Sequence, residues 1–531
     1  MHVFDVILIF TCLSSCSAMK ILVYNPMFGF SHVKFLSKMV DVIASRGHEV
    51  TSFQPFHFDL KNTEGLIKNK NATVINYYPT NFKELQKNEN FDYSKFWESS
   101  SQSNPLQETF HFPKTIANAF EKTSAEIMLD TKLHQNLRSK NFQVVLYEPF
   151  DVTGLYLANL LSIPAIPVLS MVRFDIETLF GAPSTLGYVP PDGSMTPPSR
   201  TLFARIEGIF RLNCHRLKRR LMFGMQTSNL ERALGHELPD WRVLMADTPL
   251  MFANANPYLD FAVPTTDNVV RIGGITMNLK RKNEEAVPEE YEKILAERER
   301  TVLISFGSVV RSFEMPERFK SGVIEMFHNL PNTTFIWKYE IDDPTLQSRL
   351  PPNVHLRKWV PQPALLADER LSLFVTHGGL GSTMEVAYTG KPALMIPIFA
   401  DQPHNAVMLA RHGGALAFDK FDLADGGKLT ATIADLTENQ EYAENAKMLL
   451  EVLRNQPYDP KEELLKRLEF AVKFPKHRSF RPEINQLGVI EFYHLDALAV
   501  ILITLLLFLY VFTKFLVFLI SKIVKNKLKK E

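Results

Sequence analysis

A series of short apolar runs in the C-terminal half constrains the fold of this 531-residue chain more than any other feature. The runs lie at 301–308, 333–340, 354–360, 371–377 and 392–399, with helix-like segments between them. Continuous apolar runs of this kind are typical of strands buried on both faces of a parallel sheet. The pattern therefore predicts an α/β domain in which helices cover such a sheet.

The N-terminal half carries the same alternation. The run KILVYNPMF at 20–28 precedes apolar residues at helical spacing, and HEVTSF at 48–53 begins another strand. A further strand-like run lies at 142–150. These units predict an N-terminal Rossmann-like domain over 19–275 and a C-terminal one over 276–475. The cleft between two such domains is the expected ligand site.

The N-terminus has the composition of a secretory signal. Residues 1–18 contain a short apolar core and end in small residues, with Cys16 and Ala18 at the −3 and −1 positions of a cleavage site. The alternative is a first core strand, although a better strand candidate starts directly afterwards. We therefore expect residues 1–18 to be a cleaved signal peptide.

An apolar stretch near the C-terminus is long enough to span a bilayer. Residues 497–513 carry no charge, and the run continues past Lys514 to give a predicted transmembrane helix over 497–520. A buried core helix is the alternative. A juxtamembrane segment at 476–496 precedes the span and a lysine-rich tail at 521–531 follows it. By the positive-inside rule the tail is cytosolic and the body lumenal, as in a single-pass type I protein.

The last residues suggest a compartment. Lys527 and Lys529 lie near the C-terminus at a spacing that resembles the dilysine retrieval signal of endoplasmic-reticulum membrane proteins. An ordinary basic stop-transfer tail is the alternative. Asn71 and Asn332 begin glycosylation sequons, which a lumenal body would expose to modification. We therefore expect an endoplasmic-reticulum membrane glycoprotein.

Charge and cysteine content exclude other classes. A formal net charge of +1 argues against a nucleic-acid partner. Cys214 is the only cysteine outside the expected signal, so no internal disulfide is expected. No cluster of Cys and His has metal-ligand spacing, and no metal site is expected.

The most informative local motif is FVTHGGLGSTMEVAYTG at 374–390. A strand ends at a glycine-rich turn, after which Gly381 and Ser382 open a helix. Free N–H groups and the helix dipole favour phosphate at such a position, and Gly379 lets the backbone approach closely. His377 can donate to a diphosphate oxygen, and Glu385 can accept from ribose hydroxyls. Alone, this turn is only moderate evidence for a nucleotide site.

The surrounding sequence is far more specific. The run from Trp359 to Gln402 resembles the signature of the UDP-glycosyltransferase family, in particular its membrane-bound UDP-glucuronosyltransferase branch. The resemblance implies a GT-B fold, with two Rossmann-like domains facing a cleft and a C-terminal transmembrane helix. The donor-binding positions that it implies are Ser308, Trp359, Gln362, His377, Gly379, Gly381, Ser382, Glu385, Asp401 and Gln402.

The resemblance also implies roles for these positions. Trp359 would stack on uracil, whereas core packing would be the simpler explanation of an isolated tryptophan. Ser308 would contact the diphosphate, and Asp401 and Gln402 would bind sugar hydroxyls. The chain departs from the family pattern at Gly381, where vertebrate members commonly have Asn, so one side-chain donor to the diphosphate is missing.

The catalytic base implied by the resemblance is His32, at the end of the first strand and the start of the first helix. An imidazole can take a proton from an acceptor hydroxyl near neutral pH. Such a base is best oriented by a carboxylate, for which the family uses Asp. Here Glu148 occupies the aligned position in FQVVLYEPFD, and Asp151 is the alternative. Glu148 keeps the strand register and is preferred.

The expected activity is inverting transfer of glucuronic acid or glucose from a UDP-sugar to a hydroxyl of a small lipophilic acceptor. The expected partners are the UDP-sugar, which is a co-substrate and not a cofactor, the acceptor, and membrane lipid around the C-terminal span; homo-oligomerisation is left open. Aromatic residues near the N-terminal cleft, such as Phe96 and Trp97, suit either an acceptor pocket or core packing. A membrane-tethered nucleotide-sugar-binding protein with little or no turnover, and a nucleotide-sugar epimerase, are the alternative functions.

Overall fold

The computed structural model describes residues 18–60, 63–83, 94–99, 104–183, 189–190, 194–195, 201–277, 286–308, 310–477, 489–492 and 494–528. The chain forms two compact units, one up to residue 480 and one from residue 481 onwards. The expected signal peptide lies outside the described residues except for Ala18. Residues 529–531 of the tail, which include Lys529, also lie outside them.

The first sheet has seven parallel strands in the order β3-β2-β1-β4-β5-β6-β7. Its strands are β1 (Lys20–Tyr24), β2 (Glu49–Pro55), β3 (Thr73–Tyr77), β4 (Val144–Tyr147), β5 (Ala165–Leu169), β6 (Met251–Ala253) and β7 (Val269–Arg271). The order reverses between β1 and β4, as in a doubly wound sheet. Because parallel strands all end at one edge, the residues that follow β1, β2, β4 and β5 come together there.

Helices connect and flank these strands. They are α1 (Phe30–Ser45), α2 (Lys95–Glu98), α3 (Pro105–Leu129), α4 (Thr131–Ser139), α5 (Thr153–Leu161), α6 (Leu202–Leu234) and α7 (Trp241–Ala246). The first helix buries an apolar stripe that includes Val33, Leu36, Met39, Val40 and Ile43. Those are the positions at helical spacing in the sequence, so periodicity fixes which face of α1 meets the sheet.

The second sheet has six parallel strands in the order β10-β9-β8-β11-β12-β13. They are β8 (Arg300–Ser305), β9 (Thr333–Lys338), β10 (Val354–Arg357), β11 (Leu371–Thr376), β12 (Ala393–Met395) and β13 (Ala415–Ala417). The helices of this half are α8 (Glu289–Leu295), α9 (Glu317–Asn329), α10 (Pro344–Gln347), α11 (Gln362–Ala367), α12 (Leu380–Thr389), α13 (Gln402–Ala410), α14 (Gly426–Glu438) and α15 (Gln440–Arg454). Two Rossmann-like sheets confirm the predicted α/β architecture.

The last helix of the body, α16 (Pro460–Lys473), packs against the first sheet although it follows the second in sequence. Its buried residues Leu464 and Leu468 belong to the same apolar cluster as Ile21 and Val23 of β1. Arg46, just after α1, pairs with Glu462 at 3.2 Å. After completing the second sheet, the chain therefore crosses back to pack against the N-terminal half before the C-terminal unit begins.

The C-terminal unit contains α17 (Val489–Phe492) and α18 (Leu495–Leu528). Within α18, Leu495–Asn526 is long and apolar enough to cross a membrane, with mean hydropathy 2.6 and none of its most apolar window buried. This stretch contains the predicted span at 497–520, so the expected C-terminal apolar helix is present.

Candidate active site

His32 and Glu148 meet at the edge of the first sheet. His32 lies in the first turn of α1, and Glu148 directly follows β4, the neighbour of β1. The Nδ1 atom of His32 is 3.2 Å from Oε2 of Glu148, whose side chain is fully buried. The Oγ of Ser170, at the end of β5, also contacts Nδ1 of His32. Because both contacts involve Nδ1, Nε2 is the ring nitrogen available to a substrate. The side chain is 18% exposed, so the ring can be reached from solvent.

Asp151, the alternative partner for His32, contacts other groups. Its Oδ2 accepts a 2.6 Å hydrogen bond from the Tyr24 hydroxyl and lies 2.8 Å from Nε2 of His57. Its Oδ1 accepts from the backbone N–H of Thr153 at 2.9 Å. The structure therefore brings Glu148, and not Asp151, to His32.

The glycine-rich turn joins β11 to the N-terminus of α12. Gly378 has a φ of +78°, which only glycine adopts readily. Gly379 caps the helix, and its oxygen accepts the N–H of Thr383 at 2.9 Å. Gly381 is exposed, and an added Cβ there would meet nothing within 4 Å. The first turn of α12 thus presents free backbone N–H groups at an open surface, which suits an anion.

Glu385 links the two halves of the body. Its Oε2 accepts a 2.6 Å hydrogen bond from Nε2 of Gln362, which also donates to Oγ of Ser382 at 3.1 Å. Its Oε1 pairs with Nζ of Lys34, two residues after His32, at 3.3 Å. The His32 end of α1 therefore faces the N-terminal turn of α12. A ribose whose hydroxyls donated to Glu385 as expected would displace Gln362 or Lys34.

His377 fills the space between two glycine turns. An added Cβ at Gly307 or Gly379 would lie 2.6 Å from its ring, so neither position accommodates a side chain without movement. Burial, with a smaller contribution from the charge of Lys338, lowers the pKa of His377 to about 4. The ring is therefore neutral near pH 7 and can donate through one nitrogen. Ser308, beside Gly307, is exposed.

Trp359 presents an open face on the same side. Its side chain is 62% exposed, although tryptophan is usually largely buried. Nζ of Lys338 lies 5.9 Å from the ring centroid, and the backbone oxygen of Trp359 accepts from the Tyr291 hydroxyl at 2.8 Å. An exposed, backbone-anchored indole suits base stacking better than core packing.

Asp401 and Gln402 begin α13. Burial raises the pKa of the Asp401 carboxyl, and the Asn405 hydrogen bond and the charge of His32 oppose that rise. The amide oxygen of Gln402 accepts from the backbone N–H groups of Ile398 and Phe399 at 2.8 and 3.0 Å. That oxygen secures the preceding turn, so Gln402 would offer a ligand only its NH₂ group.

The contacting residues that sequence reasoning missed include Ser170, Lys34 and Lys338. Ser170 follows a buried strand and could have been found by extending the search for strand-end residues to β5. Lys34 and Lys338 carry no such signal, because their importance depends on how the two halves meet.

No metal-binding cluster lies near these residues within the described ranges. In these parts of the chain, no group of three or more His, Cys, Asp or Glu side chains is arranged to hold a metal ion. The residues gathered here are instead backbone and side-chain donors, one exposed indole, two histidines and the separate carboxylates of Glu148, Glu385 and Asp401, a set that suits a nucleotide diphosphate and a sugar.

Solved glycosyltransferases share this architecture. A crystal structure described as the glycotransferase of kitacinnamycin superposes with a TM-score of 0.58 at 19% identity, over 85% of this chain and 99% of that one. UGT2 of Phytolacca americana, solved with UDP-2-fluoro-glucose and pterostilbene, gives a TM-score of 0.55 at 16% identity, over 86% and 100% of the two chains. The fold is therefore that of a GT-B glycosyltransferase.

Sequence comparison gives the family. Residues 19–530 match the model of the UDP-glucoronosyl and UDP-glucosyl transferases, and the chain belongs to that family. UDP-glucuronosyltransferase 3A2 of Homo sapiens is 27% identical over 501 residues, covering 91% of this chain and 90% of the relative. UDP-glucosyltransferase 2 of Dactylopius coccus is 24% identical over 524 residues, covering 94% and 93%. The predicted family and glycosyltransferase activity are confirmed, in preference to a binding protein without turnover.

Proposed function

We propose that this transferase moves glucuronic acid or glucose from a UDP-sugar to a hydroxyl of a small lipophilic acceptor, with inversion at the anomeric carbon. Nε2 of His32 takes the proton of the acceptor hydroxyl. The acceptor oxygen then attacks the anomeric carbon of the α-linked sugar, and the bond to the UDP oxygen breaks. UDP leaves with the bonding electron pair, and the product has the β configuration.

Glu148 orients the base. A hydrogen bond from Nδ1–H of His32 to the carboxylate fixes the tautomer in which Nε2 is unprotonated, and the carboxylate stabilises the imidazolium that forms. The fully buried position of Glu148 strengthens this interaction, because water competes poorly there. The Oγ of Ser170 contacts the same Nδ1 atom, and its backbone N–H donates to Oε2 of Glu148 at 3.3 Å, so Ser170 restricts both members of the pair.

The leaving diphosphate is stabilised by donors from the second half. His377, Ser308 and the N–H groups of Gly381 and Ser382 surround the position that the phosphates would take. Such fixed donors act most strongly on charge that develops in the transition state. Trp359 and Gln362 bind the nucleoside, Glu385 the ribose, and Asp401 with the Gln402 amide the sugar hydroxyls.

One observation carries the proposal: His32 lies 3.2 Å from the buried carboxylate of Glu148, and the helix that carries His32 also pairs with Glu385 of the second half through Lys34. A base that served only to cap α1 would need neither a buried carboxylate nor a position facing the second half of the body.

A donor panel tests the proposal. Microsomes carrying the wild type, His32→Ala or His236→Ala are supplied with several UDP-sugars and a simple phenol. His236 is exposed and remote in sequence, so His236→Ala controls for loss of a histidine. Transfer by the wild type and His236→Ala, with at least a hundredfold loss (~10²) in His32→Ala, is expected for removal of a general base. Equal turnover in all three would exclude His32 as the base.

The cellular setting is also proposed. The domain limits at 19–275 and 276–475, the signal at 1–18 and a type I orientation in the endoplasmic-reticulum membrane are supported by the sequence. The apolar α18 supports the membrane span alone. Protease protection in sealed microsomes, with endoglycosidase treatment of the Asn71 and Asn332 sites, distinguishes a lumenal from a cytosolic body.

A further inference from the structure

A second histidine–carboxylate pair lies beneath the proposed catalytic pair. Tyr24 ends β1, His57 follows β2, and Asp151 lies four residues after the end of β4. The side chains of His57 and Asp151 are fully buried, as is Tyr24. The reaction proposed above uses none of these three groups, although a buried ionisable cluster is costly to maintain.

Asp151 is held by several donors at once. The Tyr24 hydroxyl and Nε2 of His57 both lie within 2.8 Å of Oδ2, and the N–H of Thr153 binds Oδ1. Burial raises the pKa of this carboxyl, but the charge and hydrogen bond of His57, together with the hydrogen bonds from Thr153 and Tyr24, outweigh it, and the net shift is downward. A carboxylate with this set of donors has little freedom to move.

A short turn connects this fixed carboxylate to Glu148. The N–H of Asp151 donates to the oxygen of Glu148 at 3.2 Å, which closes the turn. Between them, the Phe150 ring meets the His32 ring edge-on, with centroids 5.3 Å apart. Displacement of Asp151 would therefore move both Glu148 and the wall against which His32 rests.

We propose that His57 and Tyr24 are positioning residues for glycosyl transfer, which fix Asp151 so that Glu148 keeps its contact with His32. This inference rests on the proposed role of His32 and Glu148. A glutamate has one more rotatable bond than an aspartate, so its carboxylate needs a more rigid turn to stay within hydrogen-bonding distance. Oε1 of Glu148 has no partner in the described part of the chain, which leaves Oε2 as the point of attachment.

Two tyrosines allow a matched test. Tyr24 and Tyr147 are paired directly across β1 and β4, and both are fully buried. The Tyr147 hydroxyl has no hydrogen-bond partner among the described residues. Tyr24→Phe and Tyr147→Phe therefore make the same chemical change in adjacent strands, but only Tyr24→Phe removes a donor from Asp151.

Steady-state kinetics are measured for both variants in the wild-type and Glu148→Gln backgrounds. We expect Tyr24→Phe to lower kcat about tenfold with the KM for UDP-sugar unchanged, as for loss of a hydrogen bond to a charged group. In Glu148→Gln it should change kcat less than about twofold, because residues that act through one another are not additive. Tyr147→Phe should have no effect in either background.

A second measurement does not depend on turnover. Carbethoxylation of His32 by diethyl pyrocarbonate is followed by peptide mass spectrometry, since His32 is partly exposed and His57 is not. Tyr24→Phe, His57→Gln and Glu148→Gln should each slow modification of His32, and Tyr147→Phe should not. A wild type that transfers no sugar would refute the proposed function, but this measurement would still test the positioning.

The proposal is overturned if Tyr24→Phe matches Tyr147→Phe in kcat and in His32 modification. It is also overturned if Tyr24→Phe lowers kcat equally in both backgrounds, because the cluster would then act on folding and not through Glu148. His57→Gln replaces the imidazole that lies 2.8 Å from Asp151 with an amide, which weakens the hold on Asp151 while keeping a polar group in the buried position, so it provides a second disrupting variant should Tyr24→Phe prove unstable.

Discussion

Gly307 and Gly381 both lie beside the proposed diphosphate site, yet they differ in what a side chain would meet. Gly307 has a φ of +84°, and a Cβ there would lie 2.6 Å from the His377 ring. Gly381 is in the first turn of α12 with open space around it. One glycine is required by the backbone and by His377, whereas the other is not required by the fold.

We expect Gly381→Asn to fold and to lower the KM for UDP-sugar, because it adds an amide donor at a helix N-terminus that already favours phosphate. Replacing glycine with asparagine in a helix also gains about 0.3 kcal/mol in helix propensity. Gly307→Ala should lower stability by about 1–3 kcal/mol and raise the same KM, since it combines backbone strain with displacement of His377.

Thermal melting and donor kinetics on the two variants check this contrast. A Gly381→Asn protein with a raised KM for UDP-sugar would indicate that the diphosphate does not approach this turn. Unchanged stability in Gly307→Ala would show that the loop and His377 can shift without cost.

The paired carboxylates show how far residue-level prediction extends. The strand register correctly indicated Glu148 as the neighbour of His32, because both follow adjacent parallel strands. The partners of Asp151 were beyond prediction, since His57 and Tyr24 reach it only through the order of β2, β1 and β4. Lys34 and Lys338 were unpredictable for the same reason: their contacts depend on tertiary packing.

At the scale of elements, the short helix α2 packs against two loops of the second half, one that contains Arg311 and one that leads from Phe399 to Asp401. Trp97 is fully buried in the apolar cluster of the second sheet, and its Nε1 donates to the oxygen of Arg311 at 3.3 Å. The Phe96 ring stacks on Phe399 with centroids 4.3 Å apart. Two residues beyond Phe399, after a left-handed Ala400, comes Asp401. Core packing is therefore the observed role of Trp97.

We expect Phe96→Ala to raise the KM for UDP-sugar about two- to tenfold, because a stacked aromatic pair contributes about 0.5–1.5 kcal/mol and holds the Asp401 turn. The KM for the acceptor should change little. Phe110→Ala, on an exposed face of α3, is the matched control. An unchanged donor KM in Phe96→Ala would show that Asp401 is positioned without α2.

Elements were predictable where their signals were local. The β11–α12 unit was identified from its apolar run and glycines, and α1 from its helical spacing. The strands β6, β7 and β13 were not predicted, because each is three residues long; β12 is equally short, but it lies within the longer apolar run at 392–399. Helix α3 was not placed, because Pro113 interrupts its pattern and its aromatic residues are spread around the helix.

At the scale of the whole molecule, the core of the N-terminal half depends on α16, which is the last helix before the C-terminal unit. Leu464, Leu465 and Leu468 are buried in the cluster beneath β1. Glu469 also lies 3.3 Å from Nε2 of His48, whose side chain is buried. Sequence periodicity identified neither contact, since nothing local indicates that the chain crosses back. The first sheet is therefore completed only when residues near 470 have been made.

Two truncations test that dependence. A chain that ends at His477 keeps α16 and should fold with a melting temperature close to that of the full chain, should transfer sugar, and should leave the membrane fraction because α18 is absent. A chain that ends at Asp459 exposes the β1 face and loses several buried leucines. Each such leucine is worth about 2–5 kcal/mol, so this chain should aggregate or melt below assay temperature. Equal melting of the two truncated chains would mean that α16 only covers the first half and does not complete its core.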